Sequence, residues 1–296
     1  MDNDIKNWWD QNPFTFGAAT NDYKKNDLVG RVTSEKMDLD YFNEIERRFR
    51  KHSGTGGQEK GDSLLSKLID YKTSVQEKDV LDIAIGSGLH TVAFAKEKGR
   101  VTGIDLTPYA VKQAKKNLEL RGLSSEIRQM DAQQMDFKDD MFDFVNAWGC
   151  LMHMPDTKGA IKEIYRVLKP GGRVLAYMYN KSSWPFWFNI FFLRGILLLG
   201  FIRYGFSAVR LTSRYSDGSR KGGNALTKFF TSKEAGDMFI EAGFEKIEAY
   251  PWDIGYEPDG WPIGKFPIFK YLPRRVRNFM AKNWGYGLIV RAQKRT

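Results

Sequence analysis

Between residues 79 and 253, short apolar runs alternate with amphipathic stretches, a pattern that few folds can accommodate. Each run is six to eight residues long, which is within the usual range for a strand. An order of strand, helix and strand predicts a mostly parallel sheet covered by helices. The first five predicted strands are residues 79–85, 100–105, 125–131, 142–148 and 173–179, and two more follow at 245–252 and 286–292.

Helix signals between these runs support the same arrangement. Thr107 and Pro108 supply a capping hydroxyl and a proline at the first helical position, and Gly122 ends the helix that begins there. A second helix is predicted over residues 156–168, followed by a stop and turn at residues 169–172. A third helix is predicted over residues 231–242.

The chain is expected to contain four segments. Residues 1–78 form an N-terminal cap of helices and loops, with a mobile loop at residues 52–62. Residues 79–180 form the core of the sheet, and residues 181–230 interrupt it after the fifth strand with a hydrophobic and basic insertion. Residues 231–296 complete the core and carry a further basic, aromatic insertion.

The net charge of +10 is concentrated in two segments. Residues 181–222 contain seven basic side chains and one acidic one, and residues 254–296 contain nine basic and two acidic ones. This distribution predicts an anionic partner met by one part of the molecule and argues against a nucleic-acid-binding coat. The single cysteine, Cys150, excludes an intrachain disulfide framework and thiolate metal clusters, and we expect no metal site. With no signal peptide at the N-terminus, we expect a cytoplasmic protein.

A glycine-containing loop follows the first predicted strand. Gly86 and Gly88 let a ligand approach backbone N–H groups at the start of a helix. The neighbouring strand ends carry three carboxylates, those of Asp82, Asp105 and Asp131. An acid after the second strand suits the ribose hydroxyls of an adenosine cofactor. A dinucleotide is disfavoured because Thr91 stands where the third small residue of the dinucleotide motif belongs.

These motifs resemble those of the class I S-adenosylmethionine-dependent methyltransferases, especially the small-molecule branch related to the ubiquinone and menaquinone C-methyltransferases. The resemblance spans residues 79–179 and rests on VLDIAIGSG, TGIDLTPYAVKQAKKN, QMDAQQMDF, FDFVNAWGCLMHMPD and EIYRVLKPGG. It implies a Rossmann-like, seven-stranded, mostly parallel sheet sandwiched by helices. It also implies S-adenosylmethionine as the cofactor and S-adenosylhomocysteine as the product.

The resemblance further implies nine cofactor-binding positions: Asp82, Ala84, Gly86, Gly88, Asp105, Leu106, Asp131, Ala132 and Trp148. Asp82 and the glycine loop would hold the methionine moiety, and Asp105 would hold the ribose. Asp131 and Ala132 would hold the adenine. Ala84 departs from the pattern because the family usually has its first glycine there, so its methyl group is expected to reshape the methionine pocket.

Methyl transfer from a sulfonium is an in-line displacement, which depends on positioning more than on a fixed set of catalytic groups. A base helps when the acceptor is a phenol, an acidic carbon or a protonated amine. His153 is the candidate base because it follows the fourth predicted strand, on the lip where acceptors lie in the resembled family. His90, beside the glycine loop, is the second candidate. A histidine held by hydrogen bonds in a loop is the competing structural interpretation of His153.

Five residues are candidate acceptor contacts: Trp9, Tyr179, Arg210, Arg214 and Tyr215. Trp9 belongs to an N-terminal aromatic pair expected to close over the cofactor mouth, and Tyr179 ends the fifth predicted strand. The two arginines suit a carboxylate or phosphate because a guanidinium donates two parallel hydrogen bonds. Sheet packing of Tyr179 and a solvated basic loop are the alternatives for these groups.

The insertion contains nine aromatic side chains within residues 184–206, a stretch long enough to span a bilayer. We expect it not to span one, because Arg194, Arg203, a proline and three glycines interrupt the run. Three alternatives remain open for this segment. They are a helical lid over an apolar acceptor pocket, an interfacial element on an anionic membrane, and a buried packing or dimer contact.

Together these features predict methyl transfer from S-adenosylmethionine to an apolar or amphipathic small molecule that carries an acidic group. The alternative is a non-catalytic protein, associated peripherally with membrane or RNA, that keeps the Rossmann-like core as a ligand sensor. A C-terminal basic cluster fits either a membrane contact or a solvated amphipathic helix; it comprises Lys270, Arg274, Arg275, Arg277 and Lys282.

Overall fold

The computed structural model describes residues 2–19, 28–52, 63–216, 223–252 and 273–296. The strands are β1 Asp79–Ile83, β2 Arg100–Asp105, β3 Glu126–Gln129, β4 Phe142–Trp148, β5 Leu168–Tyr179, β6 Glu245–Trp252 and β7 Gly287–Gln293. Within the described residues they form one seven-stranded sheet in the order β3-β2-β1-β4-β5-β7-β6. The predicted Rossmann-like sheet is therefore confirmed.

The topology of the sheet creates a crevice at one edge. Strands β1 to β5 are parallel, and β7 runs antiparallel to both β5 and β6. The chain first builds outward from β1 through β2 to β3 and then returns to the other side of β1 as β4. Because the connections on the two sides of this switch diverge, a ligand can lie at the carboxyl ends of β1 and β4.

Helices cover both faces of the sheet, as the alternating pattern predicted. The helices are α1 Asp2–Gln11, α2 Leu39–His52, α3 Tyr71–Ser74, α4 Leu89–Lys96, α5 Pro108–Leu120, α6 Thr157–Val167, α7 Gly200–Tyr204, α8 Ala208–Tyr215, α9 Ser232–Glu241 and α10 Arg274–Trp284. On one face, Ile161 of α6 and Phe239 of α9 are buried against the sheet. On the other face, Phe94 of α4 is buried against Val80 and Phe144.

The predicted boundaries need three corrections. Strand β1 ends at Ile83, before the predicted residue 85, because Ala84 takes a left-handed conformation with φ +56°. Strand β5 begins at Leu168 and includes the predicted turn at residues 169–172, which forms an irregularity in the ladder with Gly171 at φ +76°. Strand β3 is confined to Glu126–Gln129, three residues shorter than predicted.

The N-terminal segment packs over α5. Met37, Phe42 and Ile45 form a buried cluster with Tyr109 at the start of α5. The Tyr109 hydroxyl accepts a hydrogen bond from the backbone N–H of Val32 at 2.8 Å. This cap therefore lies next to the carboxyl end of β2. Of the predicted mobile loop, residues 52–62, His52 is the last residue of α2, and residues 53–62 lie outside the described residues.

The insertion after β5 begins with a π-helix, Pro185–Leu197, and continues through α7 and α8. The chain returns to the sheet at Phe230, which pairs in parallel with Asn180 at the end of β5. Among the described residues, no helix has both the length and the apolar character that crossing a membrane requires.

Candidate active site

The loop after β1 holds its backbone open at Gly86. Gly86 and Gly88 both take left-handed conformations, with φ +53° and φ +76°. A Cβ atom on Gly88 would lie 2.9 Å from the Cα of Ala114, so α4 and α5 approach each other too closely for a side chain there. A Cβ atom on Gly86 would meet nothing within 4 Å. The loop is thus tightly packed behind Gly88 and open at Gly86.

Ala84 holds the position where the resembled family usually has glycine. Its φ of +56° lies in the left-handed region, which costs an L-residue on the order of 1–2 kcal/mol. Its side chain is exposed, so the methyl group lies on the open side of the loop. The chain accommodates alanine here through backbone strain and without displacing core side chains.

Asp105 ties the end of β2 to the glycine loop. Its carboxylate accepts hydrogen bonds from the backbone N–H groups of Gly86 at 3.1 Å and of Thr107 at 2.9 Å. Burial raises the pKa of this carboxyl above its usual value. Leu106, the next residue, is half-buried, and its carbonyl accepts a hydrogen bond from Gln129 at 3.1 Å. The acid predicted to bind ribose is therefore fixed beside the open backbone at Gly86.

Asp82 lies behind the loop. Its buried carboxylate accepts hydrogen bonds from Thr91 Oγ1 at 2.6 Å and from Asn146 Nδ2 at 2.8 Å. Burial raises its pKa to about 6, although both hydrogen bonds favour the charged form. The sequence predicted that this acid helps to hold the methionine moiety, but it did not predict the two protein partners.

Asn146 is a site residue that sequence reasoning missed. It lies on β4 directly opposite Asp82 and is fully buried. Its Oδ1 atom is buried and has no hydrogen-bond partner in the described residues. A buried acceptor without a donor is costly, so this atom suits a ligand that brings an N–H group. The available signal was a polar side chain between two apolar residues, Val145 and Ala147, in the buried part of the strand.

The remaining predicted cofactor residues lie along the same edge of the sheet. Asp131 follows β3, is half-buried, and accepts a hydrogen bond from the backbone N–H of Gln133 at 2.9 Å. Ala132 is buried in the core cluster. Trp148 ends β4 and stacks on Tyr177 with ring centroids 4.6 Å apart. Because these strands are adjacent and parallel, their carboxyl ends bring the predicted positions to one edge.

These residues fit S-adenosylmethionine on three observations. A carboxylate at the end of β2 suits two hydroxyl donors, and the open backbone at Gly86 admits a close ligand. The unpartnered Asn146 Oδ1 next to the Asp82 carboxylate suits a cationic amino group. Within the described part of the chain, no group of three or more His, Cys, Asp or Glu side chains could hold a metal ion.

His153 lies in a short 3-10 turn, Leu151–His153, directly after β4. It is buried, and its Nδ1 lies 2.8 Å from the carbonyl oxygen of Leu226. A carbonyl oxygen can only accept, so Nδ1 is the donor in this hydrogen bond. The ring of Trp9 packs edge-on against the imidazole at 4.9 Å, and the ring of Tyr179 lies at 5.9 Å.

His90 has a different environment from His153. Its ring packs against Phe49 at 5.1 Å and Trp148 at 5.5 Å. Burial lowers the pKa of His90 to about 3, so the imidazole stays neutral near pH 7. Its Nε2 is buried and has no hydrogen-bond partner in the described residues. His90 therefore lies in an aromatic cluster with Phe49 and Trp148.

The insertion packs over the side of the site that contains His153. Tyr179 belongs to an apolar cluster whose other buried members are Met152, Phe186, Ile190, Leu211, Phe229 and Tyr286. Four of these, Phe186, Ile190, Leu211 and Phe229, come from the insertion. The structure therefore brings the predicted acceptor residues Trp9 and Tyr179 together with His153 beneath the π-helix and α8.

The predicted basic residues lie on α8. The Arg214 guanidinium lies over the rings of Tyr204 at 5.8 Å and Tyr215 at 5.9 Å. The Arg210 side chain is exposed. Tyr215 is half-buried beside the insertion cluster and also carries Arg194 over its ring at 4.4 Å. The rest of the predicted basic loop, residues 217–222, lies outside the described residues.

Comparison with known protein families and sequences gives a consistent result. A methyltransferase domain model matches residues 81–176. The demethylmenaquinone methyltransferase of Bacillus cereus is 32% identical over 194 residues, which cover 64% of this chain and 78% of the relative. The demethylmenaquinone methyltransferase of Lactiplantibacillus plantarum is 29% identical over 186 residues, covering 60% of this chain and 74% of the relative.

Solved structures with a similar fold include methyltransferases. An S-adenosylmethionine-dependent methyltransferase from Methanosarcina mazei has a TM-score of 0.50 and 20% identity, covering 76% of this chain and 96% of that one. A phosphoethanolamine N-methyltransferase from Haemonchus contortus, in complex with S-adenosylhomocysteine, has a TM-score of 0.50 and 16% identity. That match covers 76% of this chain and 51% of the other. At these identities the likeness concerns the fold.

Proposed function

Because this chain belongs to the class I S-adenosylmethionine-dependent methyltransferases, we propose that it methylates an apolar or amphipathic small molecule that carries an acidic group. The enzyme class and the cofactor follow from the family. The acceptor class and the roles of individual residues are the proposal. S-adenosylmethionine supplies an electrophilic methyl group on a positively charged sulfur when it is bound.

Cofactor binding is assigned to the carboxyl ends of β1, β2 and β3. Asp105 accepts hydrogen bonds from the ribose hydroxyls, since its carboxylate has acceptor capacity beyond its two backbone partners. Asp131 and Ala132 contact the adenine. The backbone around Gly86 and Gly88 borders the methionine moiety, where Asn146 Oδ1 accepts from the amino group and the Asp82 carboxylate balances its charge.

His153 is assigned as the general base. Its Nδ1–H donates to the Leu226 carbonyl, which fixes the ring, and the other ring nitrogen, Nε2, is assigned to take the proton from the acceptor. Trp9 and Tyr179 surround the imidazole with aromatic surface and exclude water from it. This enclosed histidine directly after β4, at the crevice of the sheet, is the observation that carries the proposal.

The acceptor is assigned an apolar body and an acidic group. The cluster around Tyr179 and Phe229 offers aromatic walls, and the insertion covers it as a lid. Arg214, supported by Tyr204 and Tyr215, binds the acidic group, with Arg210 at the exposed rim. The relatives are named demethylmenaquinone methyltransferases, and that name supports a small-molecule acceptor.

The first test is calorimetric titration of the purified protein with S-adenosylmethionine and S-adenosylhomocysteine. The Asp105→Ala variant should bind at least about tenfold more weakly, because each hydrogen bond to a charged carboxylate contributes on the order of 1.5–3 kcal/mol. Asp79→Ala removes a carboxylate at the opposite end of β1 and should leave the affinity unchanged.

Acceptor screening follows, with quinol precursors, hydroxylated aromatics and lipid-like acids incubated with labelled S-adenosylmethionine. Methylation of compounds that combine an apolar body with an acidic group supports the proposal. Binding of S-adenosylhomocysteine with no turnover of any of these compounds would favour the ligand-sensing alternative. Turnover restricted to polar acceptors would contradict the assigned acceptor class.

A further inference from the structure

The insertion exposes a large apolar surface, here called the insertion face. Ten of the 17 large apolar side chains that are exposed in the described residues lie between positions 184 and 209. They are Trp184, Trp187, Phe192, Ile196, Leu197, Leu198, Leu199, Ile202, Phe206 and Val209. Phe206 is 89% exposed and Ile202 is 70% exposed. Monomeric proteins seldom leave so many apolar side chains together in water, so such a surface marks a contact site.

The helices that form the insertion face are packed against the rest of the protein on their other side. On the opposite side of the same helices, Phe186, Ile190 and Leu211 are buried in the cluster with Tyr179. Thr212 of α8 donates a hydrogen bond to the Thr227 carbonyl at 2.6 Å, which anchors α8 to the returning chain. The π-helix also packs on α7, where the rings of Phe191 and Phe201 lie 5.1 Å apart. One side of the insertion is thus buried in the cluster with Tyr179, and the other side, the insertion face, is exposed.

The charges around the insertion face have one sign. The sequence contains no Asp or Glu between residues 180 and 216. Arg203 and Arg210 are exposed beside the apolar side chains, whereas Arg194 is packed over the Tyr215 ring. A basic rim around an apolar surface complements anionic headgroups above a hydrocarbon layer.

We propose that the insertion face docks onto an anionic lipid bilayer, with the 197–199 turn and Phe206 entering the acyl boundary and Arg203 and Arg210 binding headgroups. A second copy of the chain fits this face less well. Two identical faces would bring exposed arginines together across a two-fold axis, and the segment offers no carboxylate to pair with them.

Docking in this orientation would connect the bilayer with the active site. The buried side of the insertion reaches Tyr179, and Tyr179 lies 5.9 Å from His153. An acceptor with a long apolar tail then reaches the base while its tail stays among the lipids. This connection rests on the proposed function, whereas the docking itself rests on the composition and exposure of the insertion face.

Vesicle cosedimentation of the full-length protein tests the proposal. Vesicles of phosphatidylglycerol and of phosphatidylcholine are compared, and S-adenosylhomocysteine affinity is measured on the same preparations. The triple variant Leu198→Ser, Ile202→Ser, Phe206→Ser should bind phosphatidylglycerol vesicles at least about tenfold more weakly, because binding scales with buried apolar area. The matched control Leu120→Ser, Ile240→Ser also changes exposed apolar side chains, on α5 and α9, and should bind like the unchanged protein.

A charge variant tests the arginines independently of the apolar substitutions. Arg203→Gln, Arg210→Gln should weaken phosphatidylglycerol binding about tenfold. The control Lys115→Gln, Lys138→Gln removes two exposed charges elsewhere and should have little effect. S-adenosylhomocysteine affinity should be the same in all four variants.

Three results would overturn the proposal. The first is that the protein does not bind phosphatidylglycerol vesicles. The second is that the variants and their controls lose vesicle binding equally. The third is that the protein forms a dimer, which the triple substitution disrupts, and does not bind vesicles. The test also separates this proposal from the proposed function. Vesicle binding without S-adenosylhomocysteine binding would remove the cofactor assignments and keep the docking surface, and the converse result would remove the docking surface alone.

Discussion

Asp79 and Asp82 lie three residues apart on β1, yet their surroundings shift their pKa values in opposite directions. Arg100 at 2.7 Å and Lys169 at 2.6 Å lower the pKa of Asp79 to about 2. Burial raises the pKa of Asp82 to about 6. Their effects on folding stability must therefore change with pH in opposite senses.

We predict that Asp82→Asn raises the free energy of unfolding of the ligand-free protein, relative to the unchanged protein, more at pH 8 than at pH 4. An acid whose pKa is raised in the folded state does not lower the free energy of unfolding at pH values below its unfolded-state pKa, which is near 4. Its destabilising effect then grows with pH until the pH passes about 6. The shift corresponds to about 3 kcal/mol, which sets the upper limit of the difference between the two pH values. Denaturant unfolding of the variant and the unchanged protein at both pH values measures it.

Asp79→Asn is the matched control with the opposite sign. The ion pairs of Asp79 contribute stability above pH 4, and that stability is lost as the pH falls toward 2. This variant should therefore be less stable than the unchanged protein near pH 8, and the deficit should shrink in acid. If both variants moved stability in the same direction with pH, the assigned environments of the two carboxylates would be wrong.

His153 can be tested with a pair of substitutions that separates its two roles. His153→Asn keeps an N–H donor for the Leu226 carbonyl and removes the proton acceptor, whereas His153→Ala removes both. As a general base contributes roughly 100-fold or more, both variants should lose at least that much turnover. S-adenosylhomocysteine affinity should be unchanged in both. Normal turnover in His153→Asn would assign the residue a structural role.

Sequence patterns identified the site residues only in part. The glycine loop and the acids at the strand ends are local motifs, so Asp105 and Gly86 were predictable in position. Asn146 was missed because its significance depends on the neighbouring strand, where Asp82 lies opposite it. The hydrogen bonds to the Asp82 carboxylate could likewise not be predicted, because only the tertiary fold brings Thr91 and Asn146 close to it.

Helix α9 shows how local chemistry makes an element predictable. Its N-cap, Thr231, accepts a hydrogen bond from the backbone N–H of Glu234 at 3.1 Å, and the Glu234 carboxylate accepts one from the backbone N–H of Thr231 at 2.8 Å. We predict that Thr231→Ala lowers the free energy of unfolding by about 1 kcal/mol. Thr231→Ser keeps the hydroxyl and should cost much less. Denaturant unfolding distinguishes them, and equal losses would mean that the methyl group and not the cap matters.

Elements without such local signals were predicted less well. Residues 169–172 contain proline and glycines, which locally favour a turn, but Leu168 still pairs with β4, and Gly171 and Gly172 form backbone hydrogen bonds with Lys294 just beyond β7. A helix over residues 185–197 was only one of three alternatives, because the sequence there is almost entirely apolar and shows no helical periodicity. Which side of that helix is buried depends on Tyr179 and Leu211, neither of which lies in it.

The order of the sheet joins distant parts of the chain into one site. Asp10 in α1 accepts a hydrogen bond from the backbone N–H of Tyr109 at 3.2 Å, and Trp9 packs on His153. These contacts hold α1 across α5 and the turn after β4. Alternation of strands and helices predicted the sheet, but it could not predict the antiparallel placement of β7 between β5 and β6, which depends on long-range pairing.

We predict that S-adenosylhomocysteine stabilises this assembled site and slows backbone exchange in α1. At about one hundred times its dissociation constant, a ligand that binds only the folded state adds about 2.7 kcal/mol to the free energy of unfolding. Asp105→Ala, which should bind at least about tenfold more weakly, should reduce the gain to about 1.4 kcal/mol or less at the same ligand concentration. Because α1 contacts both Tyr109 and His153, hydrogen–deuterium exchange in α1 should slow more than exchange in α9, which lies on the far part of the sheet. Stabilisation without any change in α1 would show that the N-terminal helix does not close over the cofactor, and the water-excluding role assigned to Trp9 would then be lost.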